Sequence, residues 1–160
     1  MEIYMKIPNV PGHVTTQGYK DWIKVYDVEF GGVKNGARMT VGKMCDRVSN
    51  YPRFSQISLL KPMDKSSTKL FTAAHSAEVF PSLELNYVTT GKDPSAYSKI
   101  KLSDVIISHY SEYMGEEGYP EELLMISYSK IERTYIPREA NNQPGSPMTV
   151  GYDLEQGQGM

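Results

Sequence analysis

Few side chains in this 160-residue chain are equipped for catalysis or metal binding. There are three histidines, His13, His75 and His109, and one cysteine, Cys45. A transition-metal site draws its ligands from imidazole, thiolate and carboxylate groups. No histidine forms a recognisable metal-ligand motif with another histidine or with the cysteine. His13 falls in a turn-rich loop, His75 on a helix and His109 in a strand, so only the fold could bring them together. A nucleophilic Cys45 would need a base beside it, and no local signature supplies one; the thiol reads as a packing residue. Glu116-Glu117 and Glu121-Glu122 are paired acidic dipeptides. A glycosidase needs two carboxylates several ångströms apart across a cleft, whereas glutamates beside a glycine turn read as solvated. Gly31, Gly32 and Gly36 do not lead into a helix, and no Walker or GxGxxG pattern occurs, so no phosphate cradle is expected. The expectation is no catalytic residue, no metal and no cofactor.

Composition bounds the remaining classes. Lys and Arg number 17 against 19 Asp and Glu, a formal charge of −2. That argues against a globally basic nucleic-acid-binding face. One cysteine cannot make an intrachain disulfide. No stretch approaches the ~18 apolar residues of a membrane helix, so no membrane insertion is expected. Met1–Lys6 has no apolar core, so no ordinary signal peptide is expected. Twelve of the 17 aromatic residues are tyrosine, and Gly and Pro together make 23 residues. Tyrosine suits a pleated, half-buried surface, and Gly and Pro punctuate turns. At this length one domain, 1–160, can bury roughly two-thirds of its unfolded surface without a covalent staple.

Alternation dominates the chain and helical periodicity is scarce. Ile3, Met5 and Ile7 alternate with polar residues, and Pro8, Pro11 and Gly12 end that strand. Trp22, Tyr26, Val28 and Phe30 form one face of a second strand, with Ile23 and Val25 on the other. Both faces are apolar, which predicts a central strand ended by Gly31-Gly32. Residues 33–52 read as a long ordered excursion with room for a short hairpin; such loops are often functional. A strand over 53–60 places Phe54 on one face and Ile57 and Leu59 on the other. One helix is predicted over about 66–78, capped by Ser66 or Ser67. Leu70, Ala73, Ala74 and Ala77 form its stripe and Phe71 widens it. Leu83, Leu85 and Tyr87 mark a strand. A longer one at about 97–111 changes face between Ile100/Leu102 and Val105/Ile107, which predicts a bulge near Ser103-Asp104. Leu124, Ile126 and Tyr128 share one face of a strand at 121–136. Residues 137–160 read as an extended tail: a linker at 141–147, a period-2 segment at 148–154, and a frayed end from Glu155.

The expected fold is therefore mainly β with one helix. Open and tethered strands recruit other chains, which points to an oligomeric interaction protein. The alternative is a small-ligand or carbohydrate-binding β-barrel lined by tyrosines; the commoner role of tyrosine is to fill β surfaces and interfaces.

Several segments, in order, carry a resemblance. They are Ile3-Tyr4-Met5-Lys6-Ile7, Tyr19-Lys20-Asp21-Trp22-Ile23-Lys24-Val25, the block Leu60-Lys61-Pro62-Met63-Asp64-Lys65-Ser66-Ser67-Thr68-Lys69-Leu70, the turn Glu117-Gly118, and Thr149-Val150-Gly151-Tyr152-Asp153-Leu154. The chain resembles the hemolysin-coregulated protein (Hcp) family, the tube protein of bacterial type VI secretion systems. The clearest block is similar to that family's Lys-x-x-Asp-x-x-Ser-Pro-x-Leu run. Thr68 stands where Pro is frequent, and Phe30-Gly31-Gly32 replaces a Ser-Trp-Gly-like segment.

The resemblance implies a β-barrel of two packed antiparallel sheets with a flanking helix and a long extended loop. It implies that six subunits form a ring and that rings stack into a hollow tube. It also implies a contractile sheath around the tube, a spike protein at its tip and small effector proteins in its lumen. The subunit would be assembled in the bacterial cytoplasm and secreted to the extracellular space or a target cell without a signal peptide. In the family the long loop reaches the neighbouring ring. Here that loop is about 33–50, with Val41, Met44 and Val48 as apolar anchors. Tyr152 and Leu154, on the C-terminal strand, are further candidate inter-subunit contacts; that strand packs either on its own barrel or on a neighbour.

Overall fold

The computed structural model describes residues 1–37, 41–42, 51–116 and 118–160. In chain order the elements are β1 (Glu2–Lys6), β2 (Ile23–Val25), β3 (Asp27–Phe30), β4 (Val33–Lys34), β5 (Arg53–Phe54) and β6 (Ile57–Pro62). The helix α1 (Ser67–Ser76) follows, then β7 (Val79–Val88), β8 (Ala96–Tyr113) and β9 (Glu121–Ser127). The last are β10 (Lys130–Tyr135), β11 (Met148–Asp153) and β12 (Gln158–Gly159). Among the described residues these strands pair antiparallel throughout.

Two layers share one core. The first runs β12-β11-β10-β8-β7-β1-β2; the second continues from β8 through β9 and β6 to β3. The 18-residue β8 belongs to both. Its first half lies between β7 and β10, and its second half pairs with β9. Met5, Ile23, Leu59, Leu83, Leu102 and Leu124 come from both layers, and all are fully buried in a single cluster. The ladder does not run continuously round the barrel, because β2 pairs with β1 and β3 with β6. At the joint Tyr26 N–H donates to the Leu60 carbonyl at 2.7 Å.

The chain passes between layers at three places, and each reverses which side chains face inward. In β8, Ile100 and Leu102 are buried, and then Val105 and Ile107. Asp104, at φ 50°, makes the change, where the Ser103-Asp104 irregularity was expected. Opposite it, β9 and β10 are one strand interrupted at Tyr128-Ser129. Ile126 and Tyr128 face the core before the break and Ile131 after it. Ser129 Oγ donates to Asp104 Oδ2 at 2.6 Å and fastens the two bends together. The third reversal is at Tyr26. Ile23 and Val25 are buried before it, and Val28 and Phe30 pack on the core after it. The apolar character of both faces therefore reflects a bend rather than a doubly buried strand.

Other expectations are corrected. The 53–60 strand is two elements. Arg53–Phe54 joins Val33–Lys34 in a ribbon at the base of the long loop, and only Ile57–Pro62 enters the main sheet. The C-terminal segment is not an extended tail. β11 pairs with β10 of the same chain, from Lys130↔Asp153 to Tyr135↔Met148. The end is not frayed either, since β12 pairs back on Tyr152 and Asp153. The 141–147 linker belongs to a closed turn, held by Gly145 N–H to the Pro137 carbonyl (2.8 Å) and Glu139 N–H to the Gln143 carbonyl (2.9 Å).

A second cluster covers the outer face of β1 and β7. Tyr4, Val14, Tyr19 and Val88 are buried there, with Trp22 packed against them. The Tyr19 ring lies 5.0 Å from both Tyr4 and Trp22. Gly12 permits this fold-back of the 8–22 loop: a Cβ there would sit 2.3 Å from the Trp22 carbonyl oxygen.

In α1, Leu70 and Ala73 are buried as expected, whereas Phe71 is more than half exposed. Ala77 is not part of the stripe. It is the C-cap, at φ 52°, donating its N–H to the Ala73 carbonyl. A left-handed alanine carries a steric penalty that glycine lacks. Ala77→Gly is therefore expected to stabilise the protein by about 0.5–1 kcal/mol, read as a higher urea midpoint at unchanged slope.

Candidate assembly surface

The block that carried the resemblance builds a buried polar centre. Lys61, the fifth residue of β6, points into the interior, and its side chain is fully buried. Its ammonium donates to Glu122 Oε2 at 2.5 Å, to Asp64 Oδ1 at 3.2 Å and to the Pro62 carbonyl at 2.9 Å. Three donors meet three acceptors, which is what a desolvated ammonium requires. The register makes this possible, because Lys61 lies directly opposite Glu122 across the β6–β9 ladder.

Asp64 then organises the start of α1. Its Oδ1 accepts the Ser66 N–H at 2.9 Å and the Ser66 hydroxyl, while its own N–H donates to Ser67 Oγ at 2.9 Å. Neither predicted serine caps the helix in the usual way; Ser66 is the N-cap residue, but its hydroxyl is turned to Asp64. Glu122 Oε1 lies 2.8 Å from the Tyr110 hydroxyl, which also lies 2.7 Å from Glu112 Oε1. Burial pushes the Tyr110 phenol far above its ordinary value, and the hydrogen bonds to Glu112 and Glu122 push it further. Burial likewise raises Tyr128 to about 12. Tyr128 OH donates to the Ser55 carbonyl at 2.8 Å, tying the base of the long loop to the β9–β10 bend.

That loop base forms the rim of an apolar cleft of about 220 Å³. Val33 and Phe54 face it from the ribbon, and Val150 and Tyr152 from β11. Phe54 stacks on Tyr152, with ring centres 4.8 Å apart. Arg133 also lines the cleft, beside Ile131.

The candidate contact residues divide accordingly. Val41 is 98% exposed. Met44 and Val48 lie outside the described residues, as does Cys45. Tyr152 and Leu154 are half-buried against their own core. Tyr152 and the loop base meet in the cleft, which Val41 does not line. Sequence reasoning missed Phe54, Val33 and Val150 as a group; the apolar Val33↔Phe54 pair flanking the excursion was the available signal. The three histidines are all exposed. His13 lines an open groove with Tyr4, Lys24 and Asp64, and His75 packs edge-on to Phe71. Among the described residues no three His, Cys, Asp or Glu side chains are grouped to hold a metal. No helix among them is long and apolar enough to cross a membrane. Among the described residues the barrel interior is filled mostly by aliphatic side chains, with Tyr128 as its one buried tyrosine.

This two-layer barrel with one flanking helix is the fold of solved type VI secretion proteins. The chain is similar to a solved structure described as a type six secretion system protein, with a TM-score of 0.93 and 27% identity over 99% of each chain. It is similar in fold to Hcp1 from Salmonella typhimurium, with a TM-score of 0.77 and 19% identity over 99% of this chain and 98% of that one. A type VI secretion system effector from Yersinia pestis is also similar in fold, with a TM-score of 0.74 and 20% identity over 94% and 98%. No curated protein matches the chain significantly. The family model described as type VI secretion system effector, Hcp, matches residues 4–135. The chain belongs to the Hcp family of type VI secretion tube proteins.

Two predictions follow from the buried centre. Glu122→Ala leaves a buried ammonium short of its carboxylate and is expected to cost about 3–5 kcal/mol. The double variant Lys61→Met/Glu122→Leu is expected to lose much less, which a double-mutant cycle by urea unfolding measures. The phenols set an alkaline limit. In the unfolded chain tyrosines ionise near pH 10, while Tyr110 and Tyr128 stay protonated to higher pH when folded. The unfolded state thus loses protons first. Stability is full below about pH 10 and is lost as pH rises towards the folded values. The urea midpoint is expected to fall above pH 10, and less steeply in Tyr110→Phe.

Proposed function

We propose that this chain is a non-catalytic ring subunit. Six copies close into a ring, and rings stack into a hollow tube that a contractile sheath drives outward. A spike protein caps the tube, and small effectors travel in its lumen. The subunit assembles in the bacterial cytoplasm and leaves through the apparatus it helps to build. The observation that carries this reading is the family match over residues 4–135, together with the 0.93 TM-score over 99% of both chains. Closed rings use head-to-tail contacts in which two different patches of one subunit meet.

Within this reading the long loop contacts the next ring. Val41, almost wholly exposed, is an apolar anchor that the isolated subunit does not use. Light scattering of the purified protein is expected to give a mass near six subunits, and negative-stain micrographs are expected to show rings. A monomer at high concentration overturns the reading. Val41→Asp is expected to abolish stacking of rings into tubes, while ring mass and thermal stability stay unchanged.

A further inference from the structure

We propose that Asn35 is a site of spontaneous covalent modification: in the folded protein its side chain closes on the Gly36 nitrogen, loses ammonia, and opens to aspartate and isoaspartate. The inference concerns this segment alone and stands apart from the assembly reading above.

Ring closure at an asparagine has three requirements. The next residue must not crowd its own peptide nitrogen, the side-chain carbonyl must be held against that nitrogen, and water must reach the product. Glycine, with no Cβ, meets the first best. The chain has six asparagines, and only Asn35 precedes a glycine. Asn35 directly follows β4 and is exposed. The Ala37 N–H donates to its Oδ1 at 3.2 Å, which makes an Asx turn. The ring closed by this bond passes through both Asn35 Cγ and the Gly36 nitrogen. The bond also draws electrons from the Cγ carbonyl, the atom to be attacked. Among the described residues the Gly36 N–H has no hydrogen-bond partner.

The other described asparagines lack this combination. After Asn9, the Val10 N–H donates to the Ile7 carbonyl at 3.1 Å, and Val10 is buried. Asn86 is buried in β7, between Tyr4 of β1 and Lys99 of β8. Asn141 is the informative contrast, because it too forms an Asx turn, with the Gln143 N–H at 3.1 Å. There the nitrogen that would attack belongs to Asn142 and is committed to the Glu139 carbonyl at 2.8 Å. The Gln143 nitrogen, which would attack Asn142, is the one held by Asn141.

The step needs only water. The Gly36 nitrogen gives up its proton and bonds to Asn35 Cγ. The Cγ–Nδ2 bond breaks, and Nδ2 leaves as ammonia with that proton. Water then opens the five-membered imide, adding its hydroxyl to one carbonyl carbon and its remaining proton to the Gly36 nitrogen. Opening at Cγ gives aspartate. Opening at the original peptide carbon gives isoaspartate, whose main chain runs through Cβ and Cγ. Either product gains a negative charge at the base of the long loop, and isoaspartate also lengthens the main chain by one atom where β4 ends.

Peptide mass spectrometry of the purified chain, warmed in neutral and in mildly alkaline buffer, tests this. The peptide holding Asn35 is expected to gain about 1 Da, faster in the alkaline buffer, and to become a substrate for an isoaspartyl methyltransferase. The peptides holding Asn86 and Asn141-Asn142 are expected to stay unchanged over the same time. Gly36→Ala is expected to slow the gain roughly tenfold, because its methyl crowds the attacking nitrogen, and Asn35→Gln to remove it. Circular dichroism and thermal melts check that each sample stays folded throughout. No gain at Asn35 in the folded chain, a gain only after unfolding, or an equal gain at Asn141 overturns the proposal and leaves the assembly reading standing.

Discussion

A β-strand has two faces, and this barrel has one core. Any segment that passes from one layer to the other must therefore exchange the side chains it turns inward. Three segments do so here, at Tyr26, at Asp104 and at Tyr128-Ser129. The cost is concentrated at Asp104, a non-glycine residue at positive φ. Aspartate tolerates that geometry better than most residues, and its carboxylate gains the Ser129 hydroxyl. Ser129 in turn donates its N–H to the Ser103 carbonyl and accepts the Leu154 N–H. One small polar junction thus fixes the bend of the longest hairpin and the position at which the C-terminal segment turns away. Without the reversal, either Ile100 and Leu102 or Val105 and Ile107 would face solvent.

The buried charges serve a related purpose. Lys61 lies one residue before the end of its strand, inside the protein, and the chain leaves β6 after Pro62 to begin α1 at Ser67. An ion pair in this position is weak support for net stability, because desolvating both partners offsets their attraction. Its geometry is demanding, however. The ammonium reaches Glu122 only in the observed β6–β9 register, and Asp64 only when the turn before α1 is closed. A one-residue slip would strand a charge in the core. The network penalises wrong registers more than it rewards the right one, and Tyr110 and Glu112 extend that penalty to β8.

Much of this was legible in the sequence, and the failures share a cause. Period-2 patterns located the strands at Ile3, Leu83, Ile100, Leu124 and Val150, and the Leu70/Ala73 stripe located the helix. The parity break at Ser103-Asp104 was readable because apolar residues flank it closely. The break at Tyr26 was not. Tyrosine there mimics an inward residue, so two half-strands of opposite parity looked like one strand with two apolar faces. Local periodicity also cannot reveal pairing partners. Phe54 belongs to a ribbon with Val33, far earlier in the chain, and Lys61 looks like an ordinary surface lysine until Glu122 is placed opposite it. The serines before α1 were read as caps for the same reason; the competing acceptor, Asp64, wins by being preorganised by Lys61.

The C-terminal segment shows how such local features restrict assembly. A strand on a polar tether invites exchange between copies, but Met148–Asp153 pairs with β10 along six residues, and its turn is fastened at Asp153. There Oδ2 lies 3.2 Å from Lys130, and Oδ1 accepts the Glu155 and Gln156 N–H groups. Burial opposes a charge on this carboxyl, yet these hydrogen bonds and the lysine hold it below the usual carboxylate value. Gly157, at φ 66°, then turns the last residues back onto β11. The segment that looked most available for recruiting a neighbour is thus satisfied within its own sheet. What stays exposed is side-chain surface: an apolar cleft at the loop base, and Tyr113, Met114 and Tyr119 at the far end of the same strands. A subunit whose C-terminal strand is paired within its own sheet is suited to joining copies through side-chain patches rather than by exchanging that strand.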